Sequence, residues 1–346
     1  MAWRKTVFTG TIVICAGILA GIASPAVAQQ SDDYGSPELI AAARKEGRIT
    51  IYTVQDPDSI RGFVKAFNQR FPFVNVSILR LPGGQLITRV KTEWSAGKLG
   101  ADVIELSDPD IAEELAYVFT DYAPPAAKDY MPQLKSSTKL WNTGSAPFCL
   151  GYNSALVKEP LTSWGDLAKP EFKGRLGVVT VLTGGSGWLR AAFERKFMGK
   201  DYWPALAKNQ PKIYPSGVPL MDAMVRGEIA VGAVLMNQFT SAKDTGAPVE
   251  CVFGKEGIPV NPLKGRGGIT RTSAAPNAAR LFMNWSLSLE GQAYVVEKMA
   301  RVSGLTTAPR LPGVTAAMSL WEPQDEEEKQ KAAWIAEWST VFNYRQ

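Results

Sequence analysis

Between residues 36 and 106 the chain switches repeatedly between helical and extended hydrophobic periods, and few architectures accept that pattern. Ser36-Pro37 reads as a cap followed by a first-turn proline; Leu39, Ile40 and Ala43 share a face, and Gly47 ends the helix. Ile49-Thr50-Ile51-Tyr52 is a short β-prone run. Ile60, Phe63, Val64, Phe67 and Phe71 then recur at helical spacing as far as Pro72, and Val74, Val76 and Ile78 alternate as a strand. A helix over 86–96 and a strand over 102–106 follow. This β-α-β-α-β order predicts a mostly parallel sheet with helices on both faces. Ligands of such sheets sit beyond the carboxyl ends of the strands. Those loops are 53–56, 81–85, where Gly83-Gly84 exposes backbone N–H groups before a helix, and 107–108.

A second unit repeats the logic after Pro160. Ser163 caps a short helix through Trp164 and Leu167, and 175–181 reads as a strand running into Thr183-Gly184-Gly185-Ser186-Gly187 ahead of a helix at 188–198. A strand at 212–214 leads to Pro215-Ser216-Gly217 and a helix at 221–226; a strand at 229–235 opens into the loop Met236-Asn237-Gln238-Phe239. The glycine-rich loop 183–187 is the strongest chemical clue. Its glycines let several N–H groups converge, the helix dipole adds positive charge, and the Thr183 and Ser186 hydroxyls can donate. No lysine follows the last glycine, so it is not a phosphate loop of the Walker type. Ser216-Gly217 offers a second such helix start, and together the two favour a phosphate, phosphonate or carboxylate.

The N-terminus sets the compartment. Arg4 and Lys5 precede an apolar run over 7–23, and Ala26-Val27-Ala28 is a small-x-small cleavage site. Residues 1–28 thus read as a secretory signal peptide, cleaved near Ala28, that sends the chain to the periplasm. The formal charge is +5, two units of it in that leader, which is too little for a nucleic-acid binder. The chain contains no histidine, so Ser-His-Asp and Cys-His catalysis and His-ligated zinc are excluded together. Cys149 and Cys251 remain after cleavage; their spacing alone is compatible with one disulfide or with two buried thiols. Near the C-terminus, Asp325 to Glu328 suit a first helical turn, and Trp334, Ile335, Trp338, Val341 and Phe342 form an apolar stripe expected to dock on the protein itself.

A series of short motifs then recurs in a known order: Ala43-Arg44-Lys45-Glu46-Gly47 before a strand ending in Tyr52, Glu93-Trp94-Ser95-Ala96-Gly97 followed by Ala101-Asp102-Val103, and Gly151-Tyr152-Asn153. Ser163-Trp164-Gly165-Asp166-Leu167, Arg226-Gly227-Glu228 and Ser288-Leu289-Glu290-Gly291-Gln292 complete it. From Leu39 to Pro309 the chain resembles the extracellular solute-binding proteins of ABC importers, in the branch that includes ferric-ion, organophosphate and phosphonate binders.

The resemblance implies the two-lobed α/β fold of type II periplasmic binding proteins. Each lobe would be a mostly parallel sheet flanked by helices, joined by two hinge strands and closing on ligand. Lobe 1 would comprise 29–148, lobe 2 149–250, and 251–346 would return to lobe 1 and add C-terminal helices. The implied hinge strands carry Cys149 and Cys251, so a disulfide between them is expected. The family implies reversible capture rather than catalysis, no cofactor, a monomer, and an inner-membrane permease as partner. Within that cleft, the loops read above supply the expected ligand set: Thr183, Gly184, Gly185, Ser186, Gly187, Ser216 and Gly217 for the anion, with Gln55, Gly84 and Ser107 from the first lobe. Asn237 and Gln238 would orient the polar remainder, and Trp188 or Phe239 would cover an apolar part. Ferric-ion members carry two adjacent tyrosines where this chain has Gln238-Phe239, which argues against free ferric iron; Tyr52, Tyr152 and Tyr214 are the remaining nearby candidates. An enzyme on the same fold would have to rely on Asp56 or Asp108.

Overall fold

The computed structural model describes residues 34–81, 83–106, 109–131, 137–182, 185–261, 264–314 and 318–345. The leader, Ser107, Asp108, Thr183 and Gly184 lie outside the described residues. Helix α1 (Pro37–Glu46) starts at Ser36, whose Oγ accepts the Leu39 N–H at 3.3 Å, and stops at Gly47 in the left-handed region. Strand β1 (Arg48–Thr53), α2 (Pro57–Arg70), β2 (Asn75–Arg80), α3 (Gly83–Ser95), β3 (Val103–Glu105) and α4 (Pro109–Glu114) follow. β1 pairs in parallel with β2 and β3, and β10 (Gly267–Ile269) adds an antiparallel edge, giving the order β10-β3-β1-β2.

The two-residue period decides what each face buries. Ile49, Ile51 and Val103 point into one core with Phe63 and Phe67 of α2 and Leu281, Phe282 and Trp285 of α9 (Pro276–Leu287). Tyr52 and Ile104 point the other way, against Leu86 and Val90 of α3.

The second sheet is built from β4 (Phe148–Asn153), β5 (Leu176–Val179), β6 (Lys212–Tyr214), β7 (Val231–Leu235) and β8 (Val249–Val252), in the order β6-β5-β7-β4-β8. β5, β6 and β7 run in parallel, while β4 is antiparallel to both β7 and β8. Its helices are α5 (Gly185–Phe193), α6 (Tyr202–Lys208), α7 (Gly217–Val225) and α8 (Met236–Asp244). Two of these begin three to four residues earlier than the apolar pattern indicates, at Gly185 and Gly217. The pattern marks where a helix meets the core, whereas its first turn projects beyond the sheet. The stretch 236–239, read as loop, is the start of α8. That helix contains few apolar residues, so no 3.6-residue stripe announces it. The expected helix at 188–198 closes with a π-helical turn over Glu194–Met198, where Glu194 turns inward to accept the Trp203 indole N–H at 3.0 Å.

Cys149 on β4 and Cys251 on β8 are disulfide-bonded, with their Cα atoms 5.8 Å apart. The bond joins the two strands through which the chain enters and leaves the second lobe. After β9 (Ile258–Pro259) and β10, helices α9 and α10 (Leu289–Glu297) rejoin the first lobe. The chain then crosses again: β11 (Leu320–Trp321) pairs in parallel with β9, and α11 (Asp325–Val341) packs on α5 and α6. Trp338 is fully buried in the core of the second lobe. The last segment therefore ends on the second lobe, so that among the described residues a third connection joins the lobes beside the two hinge strands.

Two outcomes follow from these anchors. The disulfide closes a loop of 102 residues, so its reduction should lower the unfolding free energy by about 2–5 kcal/mol in denaturant titrations with and without dithiothreitol. Glu327 seats α11: burial pushes its carboxyl upward, but hydrogen bonds from Lys196 Nζ (2.8 Å) and the Gln324 N–H (2.9 Å) outweigh burial and hold it below its ordinary 4.5. A depressed acid stabilises the fold above its unfolded pKa, and that contribution is lost as pH falls through the folded value. Glu327→Gln should thus be less stable than the wild type at neutral pH, with the gap closing in acid melts.

Candidate functional site

In the second lobe, the carboxyl ends of β5, β6 and β7 lie on one rim, and each feeds a helix. α5 starts at Gly185, α7 at Gly217 and α8 at Met236, and none has an acidic residue in its first turn. Ser216 precedes α7 in an extended conformation and its hydroxyl makes no capping bond; Leu235, before α8, has none to offer. Three helix N-termini thus lie on one edge with no acid in their first turns, and α7 and α8 also lack side-chain caps, although the Met236 N–H already donates to the Pro147 carbonyl at 2.9 Å. The first lobe is built differently. Asp56 caps α2 by accepting the Ser59 N–H at 2.8 Å, and Asp58 adds a carboxylate to that turn.

The residues expected from sequence separate into groups. Gly185 and Ser186 lie on the rim. Gly187 is buried for a packing reason, since a Cβ there would stand 2.2 Å from the Thr180 carbonyl oxygen, which fixes the approach of α5 to its strand. The Gln238 side chain lies over Gly217, where a Cβ would be 2.2 Å from Oε1. Gln238 Oε1 and Asn237 Oδ1 are buried with no hydrogen-bond partner, and Phe239 packs with Leu220 and Met221. Trp188 is turned the other way: its indole donates to Glu328 at 2.7 Å, lies near Trp334 and is buried under α11. It anchors the C-terminal helix.

In the first lobe, Gly84 is exposed beside an open groove of about 540 Å³ that includes Gln85 and Arg89. Gln55 is turned inward, donating to Glu105 through Nε2 while its Oε1 has no partner.

Sequence reasoning missed the polar centre at the base of the two lobes. Glu105, the last residue of β3, accepts from Gln55, from Thr53 Oγ1 at 3.4 Å and from Thr143 Oγ1 at 3.1 Å. A cavity of about 20 Å³, with room for one water, lies beside Gln55, Glu105 and Thr143. Arg266 precedes β10, directly across from the end of β3, and donates Nη2–H to the Gly144 carbonyl at 2.9 Å. Burial lowers its pKa; Glu105 and Glu322 oppose that effect, and the charge of nearby Arg301 adds to it. A lone acid in the apolar run Val103-Ile104-Glu105-Leu106 was a usable signal. Arg266 and Arg301 carried none, because only the crossing segments bring them together.

The bacterial extracellular solute-binding protein family model matches residues 62–320, about three quarters of the chain. The chain belongs to this family. A Haemophilus influenzae protein described as uncharacterized is 24% identical to this solute-binding protein over 269 residues, covering 72% of this chain and 76% of the relative. Among solved structures, iron-bound HitA from Pseudomonas aeruginosa matches with a TM-score of 0.66 at 20% identity, over 85% of this chain and 99% of its own. AfuA from Actinobacillus pleuropneumoniae, solved with fructose-6-phosphate, matches with 0.66 at 22%, over 86% and 99%. An ABC-transporter substrate-binding protein from Agrobacterium tumefaciens reaches 0.71 at 16%, over 86% and 96%. The solute-binding protein thus has the two-lobed type II periplasmic-binding-protein fold.

The glycine geometry yields a contrast. Gly187→Ala should cost about 1–3 kcal/mol in chemical denaturation, because backbone must move. Gly84→Ala, with nothing within 4 Å, should leave the denaturation midpoint unchanged or slightly raised.

Proposed function

We propose that this solute-binding protein is the periplasmic capture component of an ABC importer. Working as a monomer, it holds a small organic anion of the phosphate, phosphonate or carboxylate type between its lobes and delivers it to an inner-membrane permease. The observation that carries this reading is the row of three helix N-termini on the second-lobe rim, none with an acid in its first turn. Each such terminus favours an anion by about 0.3–1 kcal/mol, more where water is excluded. The unpartnered amide oxygens of Asn237 and Gln238 can accept from hydroxyl or amine groups on the rest of the ligand. Closure follows because the closed form makes contacts with ligand from both lobes that the open form cannot make. Gly185, Ser186, Ser216 and Gly217 then contact the anion, together with Thr183 and Gly184 of the same loop; Gly84 and Ser107 reach it from the first lobe.

The sugar-phosphate complex of AfuA supports an organic anion, whereas iron-bound HitA keeps a ferric ligand in view. The tyrosines weigh against ferric ion. Tyr52 already donates its hydroxyl to Glu93 at 3.0 Å, and the position after Asn237 holds Gln238-Phe239 in place of a tyrosine pair. An enzymatic role for Asp56 is disfavoured too, because its carboxylate is engaged as the cap of α2.

A thermal-shift panel on ligand-stripped protein tests the reading, comparing phosphonates, sugar phosphates, carboxylates, polyamines, sugars and ferric citrate. Ligand at about 1,000 times its Kd adds about 4 kcal/mol, a rise of several degrees for a chain of this size. A selective rise with one class of organic anion is expected; a rise only with ferric citrate or polyamines would sink the proposal.

A further inference from the structure

Arg301 is 8% exposed, yet its guanidinium makes no hydrogen bond or ion pair to any described residue, and its Nε is fully buried without a partner. A side chain so largely enclosed, with its charge matched by no acid, is a ready partner for an anion that reaches its outer nitrogens. The side chain lies along Gly144, where a Cβ would come within 3.5 Å of Arg301 Cδ, and Arg266 holds the carbonyl of the same glycine. Two arginines therefore flank one peptide. That peptide belongs to the crossing segment, beside the bridge between Ser145 and Val302. Ala300, next in sequence, shares an apolar cluster with Met236, the first residue of α8. Arg301 thus sits where the first lobe, the crossing segment and the rim of the second lobe meet.

The local acids do not use Arg301. Glu105 is occupied by Gln55, Thr53 and Thr143, and it and Glu322 act on Arg266. We infer that Arg301, seconded by Arg266, is the principal charged contact for the oxoanion group of the ligand, holding it at the base of the cleft with the planar fork of its guanidinium. The inference rests on the anionic reading of the ligand and adds a specific claim: the decisive cation lies in the crossing segment, not on the glycine-rich rim. A carboxylate or phosphoryl group fits the fork in a two-point contact that an ammonium cannot reproduce.

The test compares the wild type with Arg301→Met and Arg301→Lys by thermal unfolding and titration calorimetry. The probes are inorganic phosphate and the organic anions of the panel, with chloride at matched ionic strength as the screening control. The ligand-free Arg301→Met protein should be at least as stable as the wild type, because the change removes no side-chain hydrogen bond or ion pair to a described residue and keeps an apolar stem in the largely buried place. Its affinity for the best anion should fall by about 10- to 100-fold, and Arg301→Lys should recover only part of the loss. If both proteins respond equally to anions, the anionic reading stands and the role of Arg301 falls. If Arg301→Met unfolds or is markedly destabilised without ligand, the side chain is structural and the inference is overturned. If the wild type itself answers to no anion, the ligand class fails first and takes this inference with it.

Discussion

Both sheets are buried on both faces, and that constraint decides where polar chemistry can occur. Ile49 and Ile51 face one core and Tyr52 the other; in the second lobe, Val178 and Val179 divide in the same way between two helical layers. Water and solute then reach the sheets chiefly at their ends, where parallel strands deliver helix N-termini to a single edge. The site is thus a consequence of the packing. Once three parallel strands each hand over to a helix, three positive helix ends converge, and the side chains of their first turns largely decide whether they are neutralised. In the first lobe Asp56 and Asp58 neutralise one of them. In the second lobe Ser216 and Leu235 precede α7 and α8 without a capping bond, none of the three first turns holds an acid, and the positive edge persists.

Much of this was legible in the sequence, and the misses share a cause. Ile60, Phe63, Val64 and Phe67 mark α2 because its buried face repeats at helical spacing, and the alternation at Val103-Ile104 divides the two faces of its sheet. Local periodicity is silent where a helix is mostly solvated, as with α8, or where its first turn overhangs the sheet, as at Gly185 and Gly217. Trp188 was illegible for another reason. Its position beside the glycine-rich loop is a fact of sequence, but the partner that claims its indole, Glu328, is 140 residues away. Glu105, Arg266 and Arg301 belong to that class as well: three separate segments contribute one charged centre, and no spacing rule connects them.

The glycines of the candidate site divide along similar lines. Gly187 is there because the Thr180 carbonyl leaves no room for a side chain, whereas Gly84 has open space around it. Composition cannot tell a glycine that serves packing from one that serves access. The orphaned amide oxygens at Asn237 and Gln238 and the unpartnered Nε of Arg301 carry more information, since a folded chain seldom leaves such atoms buried and unmatched.

The return of α11 to the second lobe changes the kinematics of any closing motion. Two strands tied by a disulfide would act as a single flexible ribbon, free to twist as well as bend. The third crossing, clamped by the β9–β11 pair and by Trp338 in the far core, sets a second attachment line away from the first. Two bodies joined along separated lines can swing about an axis more easily than they can roll across it. The lobes should therefore approach each other along a narrow arc, bringing the same residues of the two rims face to face at every closure.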